Sequence, residues 1–516
     1  MELVKVFHAS ILLLILPVAV LAQQPSSVTA DALKVALGET QKIVTKTIEQ
    51  TGVPGIAIAV VHKDDVVFQQ GFGVREIGKP ELIDADTVCQ LASVSKSITS
   101  TVLAALVGEG IIGWDDRVID HDPGFCLYDA ASTRELRLRD LLCHRSSLPD
   151  HGGDLLEDMG YDRGEILHRL RYLRPDSSFR AHYAYTNYGY TEAAVAAALA
   201  AGKRWEDLAA EKLYRPLGMN TTSSRYEDFA KAANRARLHV RIDDKWVAKY
   251  ERQPDAQTPA GGVSSTLRDL TCWMRLLLAD GKFDDRQVIP AAPLNETHSP
   301  QIVTGFDSQA GRLVSYGLGW IVSVERGGKV FWKHSGGFDL GMRTEVAFLP
   351  AEQIGIAVLS NAGPTGVPEG ITESFFDLLL DGKLSRDWVE FANRMFAEEV
   401  RRERGKETDY SHPPAQTTQH LGLATYTGTF DNSFFGPIEI TDEQGNLLLT
   451  LGPKKMPFPL RHWDRDVFIY QPTGEMAGGV SGLLFTIGPD QKSTRVLIEN
   501  LNVHGQGTFE RASPGK

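Results

Sequence analysis

The chain has 516 residues, 42% of them hydrophobic and 23% charged, the balance of a soluble globular protein too long for one ordinary domain. Its 66 acidic against 54 basic residues leave a net charge of −12, and the densest basic cluster, Arg401-Arg402-Glu403-Arg404, is interrupted by acid, which argues against nucleic acid as a partner. Four cysteines (Cys89, Cys126, Cys143, Cys272) are too few for a disulfide scaffold and lack zinc-site spacing, and no His-Glu-x-x-His occurs, so neither a metal nor a cofactor is implied.

In chain order, Lys5 precedes an apolar run over 11–21 that ends in Val20-Leu21-Ala22, which predicts a secretory signal peptide over 1–22 and an exported protein, periplasmic or secreted. The run falls short of the roughly 20 residues a spanning helix needs, and no later stretch is long enough, so no integral membrane span is expected after signal removal. Apolar residues at Leu33, Val35, Ala36, Ile43, Val44 and Ile48 predict an amphipathic helix over 31–50. Two strand-like runs, 55–62 and 66–73, predict a hairpin. From Ser93 to about residue 240 the pattern is mainly helical, with 136–142 leading into His144 and an alanine-rich segment over 191–201. Strand candidates return at 329–333, 344–349 and 354–359, followed by a helix over 369–380.

Strands at both ends of a long helical insertion predict one sheet assembled from distant segments, flanked by terminal helices, with a helical lobe beside it and a cleft between. The fold class is α/β (α+β), and this unit spans 23–384. Residues 385–420, with Arg401-Arg402-Glu403-Arg404-Gly405-Lys406 and His412-Pro413-Pro414, have the composition of a linker. Beyond it, short alternating runs at 424–430, 436–440, 447–451, 466–470, 482–487 and 495–499 predict a small all-β, barrel-like domain over 421–513.

Three short motifs carry chemistry. In Ser93-Val94-Ser95-Lys96 the lysine follows the serine by one helical turn, on the same face, where an amine of lowered pKa takes the hydroxyl proton. The spacing alone is weak, since Ser513-Pro514-Gly515-Lys516 repeats it in the tail, and Ser93 by itself reads equally as a helix cap. The first copy, however, leads into Ile98, Val102, Leu103, Leu106 and Val107, a helical apolar stripe. Tyr185-Thr186-Asn187 supplies a phenol to relay the Ser93 proton and an amide to hold substrate or orient Lys96; alone it reads as an aromatic loop. His334-Ser335-Gly336-Gly337 closes the strand candidate at 329–333, where glycines admit substrate to a strand edge and the Gly337 N–H is an oxyanion donor. His334 itself reads equally as a solvated terminal histidine.

Together with Val53-Pro54-Gly55, Leu142-Cys143-His144-Arg145-Ser146-Ser147-Leu148-Pro149, Pro259-Ala260-Gly261-Gly262 and Tyr316-Gly317-Leu318-Gly319-Trp320, these motifs resemble the serine β-lactamase and penicillin-binding-protein superfamily over roughly residues 30 to 382. The nearest branch is the class C β-lactamase-like group, with its D-stereospecific peptidases and esterases. The resemblance implies a β-lactamase/transpeptidase-like fold and an acyl-enzyme on Ser93, with Lys96 and Tyr185 sharing acid and base work. It implies that Asn187, His334, Ser335, Gly336 and Gly337 bind substrate, and that the Ser93 and Gly337 N–H groups form the oxyanion hole. The C-terminal segment resembles the lipocalin-like barrel of some peptidases in this group. Many members carry lysine where this chain has His334, and glycine where it has Ser147. Histidine offers a cation only when protonated, which turns the expectation from a β-lactamase toward a peptidase or carboxypeptidase acting on D-amino-acid peptides, or an esterase acting on small esters. A β-lactamase, and a non-catalytic binding protein on the same scaffold, are the alternatives. The expected partner is a small-molecule or short-peptide substrate; oligomeric state is not legible in the sequence.

Overall fold

The computed structural model describes residues 28–307, 312–404, 408–410, 412 and 414–513, so the signal segment expected over 1–22 lies outside the described residues. The longer helices are α1 (Ala30–Thr51), α2 (Val94–Gly108), α3 (Asn187–Ala200), α4 (Leu267–Leu278), α5 (Val367–Asp381) and α6 (Trp388–Arg404). The first sheet has eight strands: β1 (Gly55–His62), β2 (Asp65–Gly73), β3 (Ile302–Asp307), β4 (Arg312–Tyr316), β5 (Ile321–Glu325), β6 (Lys329–Phe338), β7 (Met342–Leu349) and β8 (Ile354–Ser360). Their order is β2-β1-β8-β7-β6-β5-β4-β3, antiparallel throughout, so the N-terminal hairpin joins the meander through β1 against β8.

Alternation along β1 explains the layering. Ile56, Ile58 and Val60 face α1 and α5, packing with Leu33, Val44, Phe375 and Phe376, while Ala57, Ala59 and Val61 face the core shared with α2 and α4. Covered on both faces, the strand is apolar almost throughout. Helix α1 starts on a Thr29 cap and stops at Gly52, whose φ of 66° suits glycine.

β3, β4 and β5, which end the sheet on the side away from the hairpin, are absent from the expected elements. Val303, Phe306 and Leu313 are more than half exposed there, and Gly305 interrupts the alternation, so the pattern of a half-buried strand is lost. β6 is longer than expected: His334-Ser335-Gly336-Gly337 does not close it but lies inside it, paired with β7 out to Phe338↔Met342. The expected single stripe on α2 is also corrected, because the helix is buried on every side from Val94 to Leu106. Its polar residues survive there because each has a partner: Ser97 donates to the Gly319 carbonyl at 2.8 Å, Thr99 to the Pro259 carbonyl at 2.7 Å, and Ser95 Oγ accepts from Val263 N–H at 3.0 Å.

The stretch expected as a linker contains α6, which packs on α5. Its charged sequence hides an apolar face of Val389, Ala392 and Phe396 that becomes a helix signal once α5 is there to cover it. Nine antiparallel strands follow between Gly428 and Arg511. Both terminal strands of that sheet, Met456–Pro459 and Arg461–Asp464, are consecutive in the chain, which makes it a nearly closed barrel. These two strands and Thr508–Arg511 were not anticipated; Pro457 and Pro459 weaken the signal of the first, and an end-of-sheet position tolerates them. The barrel sits on the helical lobe: Tyr161 Oη donates to the Phe435 carbonyl at 2.7 Å, and Asp158 accepts from the Glu475 and Met476 N–H groups at 2.9 and 2.7 Å. Among the described residues no helix is long and apolar enough to cross a membrane. All four cysteines are free thiols.

Candidate active site

Ser93 immediately precedes α2, and its side chain makes no capping hydrogen bond. Instead Oγ accepts from Tyr185 Oη at 2.8 Å and from Lys96 Nζ at 3.2 Å. This removes the helix-cap reading and replaces it with a hydroxyl held by an amine and a phenol. Ser93 is partly exposed while its neighbours on α2 are buried, so the hydroxyl is the point at which this helix meets the cleft.

Lys96 is fully buried and every proton of its ammonium has an acceptor: Ser93 Oγ, Asn187 Oδ1 at 2.7 Å and the Ala260 carbonyl at 3.0 Å. Burial pushes its pKa down to about 7, against the pull of the Asp154 carboxylate. Its nitrogen also lies 4.5 Å from the centre of the Tyr185 ring. Burial raises the Tyr185 phenol above its ordinary value, with the Ser93 hydrogen bond opposing, so it remains protonated where Lys96 titrates. Asn187 is the first residue of α3, 8% exposed, and its Nδ2 donates to Asp154 Oδ2 at 2.8 Å.

β6 passes in front of this cluster. β5 pairs with it only as far as Lys333, so the edge from His334 to Phe338 has no strand partner on that side. Gly336 lies on the face toward α2, where a Cβ would meet the Leu91 carbonyl oxygen at 2.3 Å, Thr344 Oγ1 at 2.5 Å and the Ser93 nitrogen at 2.9 Å. Two of those three atoms are backbone and cannot move alone. Gly336→Ala is therefore expected to cost about 1–3 kcal/mol and to displace Ser93, lowering turnover at least about tenfold. Thermal unfolding and kcat, measured side by side, check both effects.

The motif's other residues fall differently from expectation. His334 is 3% exposed, with Nε2 2.8 Å from Tyr316 Oη and Nδ1 2.6 Å from the Ser335 carbonyl. Burial and the nearby Lys96 charge push its pKa down to about 3. It is neither a solvated terminal residue nor a cation for a substrate carboxylate; it is a neutral ring in the wall. Strand alternation turns Ser335 to the opposite face of the sheet, where its hydroxyl donates to Glu345. Gly337 shares that face, and a Cβ there would meet the Arg343 guanidinium at 2.7 Å.

Several residues of the site were not anticipated. His144 is buried, packed against Tyr183, Tyr185, Tyr190 and Tyr316, and accepts from Thr186 N–H at 3.1 Å, which places the Tyr185-Thr186-Asn187 turn. Ser147 has φ 70°, a left-handed conformation that suits glycine, so its substitution for the glycine expected there carries local strain. Asp154 and His151 complete the far side: His151 Nδ1 lies 2.8 Å from Asp154 Oδ2, and its ring centre is 5.5 Å from that of Tyr185, the two planes tilted by 50°. The only signal for them in the chain was the turn Asp150-His151-Gly152-Gly153-Asp154, next to a matching motif. At the end of the open β6 edge, Glu475 of the barrel accepts from Asp339 N–H at 2.6 Å.

A family model described as Beta-lactamase matches residues 40–374, and one described as Domain of unknown function (DUF3471) matches 412–510. The unguisins hydrolase ungD' of Aspergillus campestris is 26% identical over 489 residues, 89% of this chain and 88% of that protein. The D-alanyl-D-alanine-carboxypeptidase/endopeptidase AmpH of Escherichia coli is 25% identical over 353 residues, 64% of this chain and 85% of that protein. Among solved structures, the octameric penicillin-binding protein homologue from Pyrococcus abyssi superposes with a TM-score of 0.59 at 20% identity, covering 92% of this chain and 99% of that one, which is a likeness of fold.

Proposed function

The chain belongs to the β-lactamase family and is a serine hydrolase, and on that premise we propose that it is an exported, class C β-lactamase-like enzyme that cleaves an amide or ester bond through an acyl-Ser93 intermediate. The preferred substrates are short peptides containing D-amino acids, or small esters. The observation that carries this reading is the pair of hydrogen bonds converging on Ser93 Oγ from Lys96 and Tyr185. A binding protein has no chemical use for a half-neutral buried amine on a hydroxyl.

A neutral amine has two N–H bonds and one lone pair. With Asn187 Oδ1 and the Ala260 carbonyl taking the two N–H bonds, the lone pair of Lys96 faces Ser93 Oγ. The amine takes the hydroxyl proton as Oγ bonds to the carbonyl carbon, and the oxyanion is held by the Ser93 and Gly337 N–H groups. Tyr185, still a phenol, gives its proton to the leaving nitrogen or oxygen as that bond breaks, and recovers one from the Lys96 ammonium. Water then attacks the acyl carbon, losing a proton to the same pair, and Ser93 leaves with one.

The neutral His334 supports a peptidase or esterase over an enzyme that depends on a cation at that position for a β-lactam carboxylate. Two relatives named as an unguisins hydrolase and a D-alanyl-D-alanine-carboxypeptidase/endopeptidase support the peptide reading. The barrel's Glu475 loop, at the end of the open strand edge, bounds the groove and supports short substrates.

Mass spectrometry for an adduct on Ser93, while D- and L-aminoacyl amides, β-lactams and short esters are screened, tests the reading; an adduct on another residue refutes it. The pH profile of acylation is a second test. With Lys96 lowered to about 7 and active as the free amine, the rate rises with pH through a midpoint near 7. Tyr185, raised above its ordinary value, adds no limb there, and His334, already neutral, adds none either. A rate that falls across the neutral range contradicts the assignment of Lys96 as base.

A further inference from the structure

The orientation of the groups around Lys96 traces back to one carboxylate. Asp154 opens the short helix Asp154–Asp158, is 4% exposed, and follows two residues with positive φ, His151 at 54° and Gly153 at 105°. Its Oδ2 accepts from Asn187 Nδ2 and from His151 Nδ1, both at 2.8 Å, while Oδ1 is buried with no hydrogen-bond partner. So constrained a loop, delivering a buried carboxylate to a two-donor contact beside the nucleophile, has a role that packing alone does not account for.

An amide wedged between two neighbours can sit either way round. Turned as here, Asn187 gives its oxygen to Lys96 and its NH2 to Asp154. Turned over, its oxygen would face a carboxylate, which can only accept, and its NH2 would face an amine. An ammonium at Lys96 would enforce the first orientation unaided. A neutral amine would not, because it can accept as well as donate, and the neutral amine is the form that must take the proton. Asp154 keeps the acceptor on Lys96 in both protonation states.

We propose that Asp154 is a positioning residue for the acyl-transfer step: acting through Asn187 it holds the lone pair of Lys96 on Ser93, and through His151 it places an imidazole against the Tyr185 ring at the cleft mouth. This rests on the reading of Ser93 and Lys96 given above. The titratable groups facing Lys96 are Tyr185 and Tyr190 from the α3 segment, His144, His151 and Asp154 from the preceding loops, and His334 from β6. Asp154 is the one whose charge raises the Lys96 pKa. Its removal therefore has a signature beyond lost activity: the acid limb moves to lower pH.

The test is the rate at which a fluorophosphonate probe labels Ser93 in the full-length protein, followed from roughly pH 5 to 9. In Asp154→Asn the amide at 154 no longer dictates which way Asn187 turns, and labelling at neutral pH should fall about ten- to a hundredfold, with the midpoint shifted down. The exchange Asp154→Asn/Asn187→Asp returns an obligate acceptor to Lys96 and brings a negative charge into contact with it. It should recover labelling at alkaline pH with a midpoint above that of the unaltered protein. Should the single variant fail to fold by thermal unfolding, the exchange carries the test alone through the direction of its midpoint. Wild-type labelling with an unmoved midpoint in Asp154→Asn overturns the proposal, as does lost labelling with an unmoved midpoint, which is what a purely structural role gives. No labelling of Ser93 in the unaltered protein overturns the nucleophile assignment itself, and the positioning role with it.

Discussion

Ser93→Ala is expected to abolish the covalent adduct and to reduce turnover by about a thousandfold or more. The substitution removes one oxygen from a partly exposed site, so the fold should be unaffected and binding largely retained. What is lost is the atom on which the Lys96 and Tyr185 hydrogen bonds converge. No second hydroxyl can take its place: Ser95 Oγ is committed to the Val263 N–H and Ser97 to the Gly319 carbonyl, both in the core. The variant is checked by intact-protein mass spectrometry and by kcat on whichever substrate the screen identifies. Turnover within tenfold of the unaltered protein would mean that chemistry runs elsewhere.

Lys96→Met should have nearly as large an effect, about a thousandfold on acylation, and a distinct signature. Methionine fills a similar volume, so the loss is that of the base and not of packing. Two acceptors, Asn187 Oδ1 and the Ala260 carbonyl, lose their donor in a buried place, at a cost of about 1–3 kcal/mol. Removing a buried amine that burial already disfavours as a cation offsets part of that cost. The sharper reading is the pH profile: whatever acylation remains should lose the limb near pH 7, since the group that titrates there is gone. A limb that persists unchanged assigns it to another residue, His151 being the nearest candidate because its bond to Asp154 holds it above its ordinary value against the effect of burial.

Much of the scaffold was legible because it is local. The hairpin at 55–73, the helix over 31–50 and the helix over 369–380 are written in periodicities that a few neighbouring residues reveal, and all three occur as α1, β1–β2 and α5. What escaped is what depends on a neighbour not yet placed. β3 to β5 lie toward one edge of the sheet, where Val303, Phe306, Leu313 and Val324 stay exposed, and α6 shows its apolar face only against α5. Two strands of the barrel lie at the ends of its sheet, where proline is tolerated. The site divides the same way. Ser93 and Lys96 are three residues apart on one helix, so their contact is a property of the spacing, whereas His334 reads identically as a solvated or a wall residue until the Tyr316 ring is seen against it.

By itself the sequence determined the order of the motifs, the serine and lysine one turn apart, and the membership of a family of serine hydrolases, because covalent spacing and local periodicity are the same in any fold. Only the tertiary structure decided how those groups behave. Lys96 approaches half-neutrality because segments 91 and 164 residues away close around it; Ser335 turns from Ser93 because a strand alternates; and Asp154 enters the site because a strained turn carries it there. Burial and charge are sums over everything nearby in space, and neighbours in space are what a linear order of residues does not contain.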